Sequence, residues 1–165
     1  MNEPALDVFD EFCIVQTSAR IDDRTRVMKH GDTFAVFDRF GDVEQAQGGT
    51  GELGIYDHDT RILSRFLLRL DGYRPLLLSS TIKDDNALLA VDLMNPDLKH
   101  DGIMIPHGTV HIDRARVLFE GACHERIRVH NYGAVAVALS LSIEYDADFA
   151  DIFEVRGMAR ERRGR

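Results

Sequence analysis

The amino-acid sequence predicts an all-β protein, an antiparallel sandwich or barrel with at most short helices. Three observations carry this. Apolar residues alternate with a period of two from Thr33 to Tyr145. Turn residues cut that pattern at regular spacing, into about nine to eleven strands. No stretch combines helical apolar spacing with the caps of a long amphipathic helix.

Taken in order, Thr33–Asp38 alternates, with Phe34, Val36 and Asp38 on one face and Ala35 and Phe37 on the other. Arg39-Phe40-Gly41-Asp42 reads as a turn, and Val43 onward as the returning strand of a hairpin. Arg61–Leu70 is apolar on both faces, the mark of a central strand. Asp71-Gly72 turns the chain into Leu76–Ile82, with Pro75 at the strand's start, where its missing N–H costs least. Asp84-Asp85-Asn86 leads to Ala87–Met94, which Asn95-Pro96-Asp97 ends.

Thr109–Phe119 and Ala122–His130, joined at Glu120-Gly121, form a longer pair. In the second, Cys123, Glu125, Ile127 and Val129 make a half-buried face, and His124, Arg126, Arg128 and His130 a basic one. Asn131-Tyr132-Gly133 reads as a hairpin loop, with Ala134–Tyr145 returning. There Val135, Val137, Leu139, Leu141 and Ile143 share a face, and small residues opposite them invite close packing. The best helical segment is Asp148–Val155, with Phe149, Ile152 and Phe153 at helical spacing and Asp148 as its cap.

The 165 residues make one domain by size. They are 44% hydrophobic and 29% charged, which excludes disorder, a collagen repeat and a disulfide scaffold. Neither a membrane-spanning run nor a signal peptide is expected, since Met1–Asp10 is acidic and mixed. Cys13 and Cys123 read as reduced thiols of a cytoplasmic protein. The net charge of -8 argues against a nucleic-acid partner. The last ten residues, with five arginines against Glu161, read as a solvated segment or one that pairs with acids elsewhere.

Acids offer the first candidate chemistry. Asp57 and Asp59 flank His58, while Asp146, Asp148, Asp151 and Glu154 cluster after the last long strand. Paired carboxylates cleave glycosidic bonds, yet loop-end acids beside arginine usually form turns and ion pairs. No catalytic residue is therefore assigned. Asp59, Arg61, Asp148, Asp151, Glu154 and Arg156 are expected to be structural or interdomain residues near one end of the fold. His107 and His111 on one strand would lie ~13 Å apart, too far for one ion. Neither a metal nor a cofactor is expected. Gly48-Gly49-Thr50-Gly51 lacks the context of a phosphate loop and reads as a flexible hairpin tip.

Several stretches together resemble a known family. They are Lys29–Asp38, Gly54-Ile55-Tyr56 with Asp59–Ser64, Pro75–Thr81, Asp85–Leu89 with Val91-Asp92-Leu93, and above all Asp146–Gly157. In this order they resemble the N-terminal domain of bacterial glycogen debranching enzymes, the amylo-α-1,6-glucosidase type. The resemblance spans most of residues 25–165 and is most specific in its closing segment.

The resemblance implies an antiparallel, supersandwich-like β-sandwich that precedes a helical (α/α) barrel carrying the catalytic carboxylates. No residue here matches a catalytic position of that barrel. The expected organisation is a lead-in over 1–24, the sandwich over 25–157, and a basic connection over 158–165 toward an absent catalytic domain. The expected partners are that domain of the same polypeptide, a glucan, and a second copy of the chain, with no nucleic acid and no membrane. A freestanding carbohydrate-binding or protein-interaction module is the alternative. Glucan binding by such a module is disfavoured because the chain has no tryptophan for stacking on sugar faces and its four tyrosines are scattered.

Overall fold

The computed structural model describes residues 25–44, 51–83, 85–100 and 102–158. The expectations for Cys13, the glycine-rich tip before Gly51 and the tail from residue 159 lie outside the described residues.

The first sheet opens with β1 (Thr25–His30) and β2 (Thr33–Asp38), joined at Gly31, whose φ of 60° suits glycine in a tight turn. β3 (Gly54–Asp57) and β4 (Thr60–Leu63) complete the antiparallel order β1-β2-β3-β4. The second sheet has the order β11-β10-β7-β6, from β6 (Leu76–Ile82), β7 (Leu88–Met94), β10 (Val110–Phe119) and β11 (Ala122–Asn131). Two ribbons accompany them. β5 (Arg65–Leu70) pairs with β12 (Leu141–Asp146), and β8 (Leu98–His100) pairs with β9 (Ile103–Ile105). The helix α1 (Ile152–Val155) is a single turn.

Period-two patterning decides what each sheet buries. Met28, Ala35, Phe37 and Ile55 of the first sheet meet Leu89, Val91, Leu93, Ile112 and Leu118 of the second in one core. Leu68 and Leu70 of β5 join it. Each fully buried side chain of this kind contributes roughly 1.5–3 kcal/mol, so the shared apolar face holds the layers together.

Four expectations need correction. Val43 does not return along β2. The Asp38 carboxylate accepts the N–H groups of Phe40 and Asp42, each at 2.8 Å, which closes the loop on itself. Val43 is thereby delivered to Phe66 of β5, with reciprocal backbone bonds of 2.8 and 2.9 Å. Arg61–Leu70 is not one central strand. It breaks at Ser64, whose N–H donates to the Asp146 carbonyl, so that β4 stays with β3 and β5 crosses to β12.

Ala134–Ser140 is not strand, and β12 pairs with β5 rather than with β11. Val137 and Leu139 still pack on the core, so their alternation reflects burial without a ladder. Finally, the cap of α1 is Asp151 and not Asp148, because Asp148 is committed to Arg61.

Candidate functional site

The two segments singled out at Asp59–Arg61 and Asp148–Arg156 meet in space. His58 and Asp59 both have positive φ, 45° and 62°, and make the two-residue turn between β3 and β4. That turn points β4 along the segment following β12. The Asp59 carbonyl accepts the Ile152 N–H at 2.9 Å, and the Ala150 carbonyl accepts the Arg61 N–H at 2.8 Å.

Arg61 is 6% exposed, and its guanidinium forks onto Asp148. Its Nε donates to Asp148 Oδ1 at 3.1 Å and its Nη2 to Oδ2. Nη1 donates to the Gly51 carbonyl. Glycine at position 54 makes this path available, because a Cβ there would stand 2.7 Å from Arg61 Cδ and 2.9 Å from the Leu63 carbonyl. Burial pushes the Asp148 carboxyl up, but the bonds from Arg61 and the Ala150 N–H outweigh it and hold Asp148 below its usual range.

Asp151 and Glu154 cap α1 reciprocally. Asp151 Oδ1 accepts the Phe153 N–H at 2.8 Å, and Glu154 Oε2 accepts the Asp151 N–H at 3.0 Å. Arg156 is exposed at the helix end. It borders a hollow of about 100 Å³ with Phe34, Val36, Glu52, Tyr56, Ile152 and Val155. Thus α1 and its flanks cover the outer face of the first sheet, where Phe34 and Tyr56 stack at 4.5 Å.

A second cluster lies between the sheets, and sequence reasoning missed it. Arg114 and Arg116 occupy inward positions of β10, 1% and 3% exposed, in line with Ile112 and Leu118. Glu125 on β11 receives both. Arg114 Nε donates to Oε1 at 2.7 Å, and Arg116 Nη2 to Oε2 at 3.1 Å. Arg114 Nη1 also donates to Asp42 Oδ1 at 2.7 Å and to the Phe40 carbonyl at 2.8 Å. Arg116 Nη1 donates to the Gly41 carbonyl, and its guanidinium lies over Phe37 at 4.4 Å. Arg74 extends the network to Asp38 and Asp42.

The network's titrations follow from its geometry. Burial pushes Glu125 up, but Arg116 and Arg114 together hold it below its usual range. Burial pushes Asp42 up, over the opposing pull of Arg114. The signal in the sequence was parity. Arg114, Arg116 and Glu125 fall on apolar-face positions of two strands in register, where only paired charges are stable.

An apolar cleft of about 360 Å³ opens beside this network, lined by Ile55, Ile62, Phe66, Cys123, Glu125 and Tyr145 among others. Burial raises the Cys123 thiol, which suits packing and not nucleophilic attack. His107 is occupied by Asp97 at 3.0 Å, and His111 lies 3.6 Å from Asp92. Among the described residues no three metal-ligating side chains converge.

Chemically, the arrangement orients and locks. Asp148 and Glu125 are held ionised by arginine, and Asp42, the one pushed up, is 1% exposed and out of a substrate's reach. No curated protein and no solved structure matches the chain. The family model described as the N-terminal domain of (some) glycogen debranching enzymes matches residues 28–165, so that both clusters fall inside the matched span. The chain therefore belongs to the family of N-terminal domains of glycogen debranching enzymes.

Proposed function

We propose that the chain is the noncatalytic N-terminal β-sandwich domain of a cytoplasmic glycogen debranching enzyme. The parent would be a glycoside hydrolase of the amylo-α-1,6-glucosidase type, whose helical catalytic domain this sandwich supports. The observation that carries the reading is a run of exposed apolar side chains from Leu141 to Met158. It comprises Leu141, Ile143, Tyr145, Phe149, Phe153 and Met158, with Tyr145 at 76% and Phe149 at 67% exposure. Phe149 has a φ of 51°, a conformation that non-glycine residues rarely adopt.

Such a concentration marks a surface that another domain covers. The bonds from Arg61 and the capping box hold this segment rigid, which suits a docking face. Asp59, Arg61, Asp148, Asp151, Glu154 and Arg156 then act as positioning residues behind that face. Glucan contact, in this reading, belongs to the rim of the assembled cleft.

The test is binding between this chain and a separately expressed catalytic domain. Phe149→Ser with Phe153→Ser should weaken the complex at least about tenfold while leaving the sandwich folded. The chain alone should release no glucose from branched dextrin. Absence of binding, or glucose release that disappears in Asp148→Asn, overturns the reading.

A further inference from the structure

An open sheet edge is where one chain pairs with another, and most of the described edges are protected. Lys29 of β1 gives its N–H to the Asn86 carbonyl at 3.3 Å. β4 is covered by the segment at Ala150 and Asp151, through Arg61 and Thr60. β6 follows Pro75 and is broken by a bulge between Leu77 and Ser79. β11 carries the exposed cations Arg126 and Arg128. β12 has none of these devices. Leu141–Asp146 contains no lysine, arginine, proline or glycine, pairs with β5 without a bulge, and is exposed along its whole length. No described strand pairs with its other edge.

The register with β5 fixes what faces that edge. The Ser140 and Asp146 carbonyls accept the N–H groups of Asp71 and Ser64, at 2.7 and 2.9 Å, at the two ends of β5. Hydrogen-bonding direction alternates along a strand, so Leu141, Ile143 and Tyr145 turn their backbone groups outward. Their side chains share the apolar face of the ribbon with Leu70, Leu68 and Phe66, and Ser142 and Glu144 lie on the other face.

A strand added here must extend the apolar face and answer Glu144 without a second negative charge. Another β12 does both in one register. About a two-fold axis at Ile143, Ile143 meets itself, Tyr145 meets Leu141, and the Ser142 hydroxyl meets Glu144. An axis at Glu144 sets like charges opposite each other. An axis at Ser142 shortens the paired stretch from Leu141–Tyr145 to Leu141–Ile143. A slip of one residue sets apolar side chains against polar ones.

We propose that the free edge of β12 pairs with β12 of a second copy, antiparallel about Ile143. The apolar side chains of both copies stay on one face of the joined ribbon, so the face offered to a catalytic domain is widened and not used up.

Cysteine pairing tests this in the full chain, with Cys13 and Cys123 replaced by serine. Residues opposite each other in an antiparallel ladder have Cα atoms about 4.5–5.5 Å apart, within disulfide reach. In Leu141→Cys or Tyr145→Cys each cysteine would stand about 13 Å from its own counterpart. Ile143→Cys should therefore form a linked dimer about tenfold or more faster than either. Leu141→Cys chains mixed with Tyr145→Cys chains should link to each other. In the unaltered chain, the Ile143 and Tyr145 amides should exchange more slowly as protein concentration rises. Ile143→Cys linking no faster than Leu141→Cys overturns the proposal. So does Ile143 amide exchange that is independent of concentration, a readout that needs no substitution and holds even where a cysteine variant fails to fold.

Discussion

Arg114 and Arg116 stand where a pleated strand would place leucine, and Glu125 makes that tolerable. Its two oxygens serve both guanidiniums, while carbonyls of the Phe40-Gly41 loop take further donors. Removing one partner of a buried ion pair leaves an uncompensated charge, at a cost of ~3–5 kcal/mol. Glu125→Ala should therefore destabilise the chain by about that amount in urea unfolding. Arg61→Ala should cost less, about 1–3 kcal/mol, because Asp148 is a third exposed and water takes over part of its solvation.

Acid should act through the same residues. Glu125 and Asp148 lie below their ordinary values of 4.5 and 3.8, so each adds stability that is complete above those values. That stability is lost as pH falls through the depressed folded-state values. Asp42 has the opposite sign, since its raised carboxyl favours the fold as it becomes protonated. Asp57 and Asp97 are lowered as well, so with four carboxylates against one the urea midpoint should fall below about pH 4, and Glu125→Gln should flatten the fall.

At the scale of elements, α1 is too short to hold itself, because one turn offers few bonds for the dihedrals it fixes. Its position comes from the capping box and from the backbone bonds of Asp59 and Arg61 to Ile152 and Ala150. Asp151→Ala removes the cap and should cost about 1 kcal/mol. Faster amide exchange confined to residues 152–157 would register the loss, whereas a global loss of protection would assign Asp151 a wider role. The loop at Asp38 works similarly: one carboxylate gathers two N–H groups and decides that Val43 leaves for β5. A local side-chain bond thus overrides a hairpin pattern.

The molecule as a whole encloses one core between the four-stranded sheets and leaves the apolar run from Leu141 to Met158 exposed. Left uncovered, that run should promote weak self-association of the isolated chain. Sedimentation at rising concentration should show it, and Phe149→Ser with Phe153→Ser should diminish it. Melting should change little, since exposed side chains away from the core alter stability by about 0.5 kcal/mol or less.

The all-β class, the strands Leu76–Ile82, Thr33–Asp38 and the β10–β11 pair follow from local pattern, because a strand buried on one face must alternate. The family is legible for a related reason: the closing Asp146–Gly157 run lies within the matched residues. Partner choice is different. Alternation at Ala134–Tyr145 reports burial and not which strand lies alongside, so β12 went to β5 through bonds between residues about seventy to eighty positions apart. Charge was decided the same way. Arg114, Arg116 and Glu125 have ordinary surface chemistry as single residues, and only the register of β10 on β11, with the Phe40–Asp42 loop closing over them, turned them into a buried network. Local sequence sets which face a residue takes, whereas long-range pairing sets what it meets there.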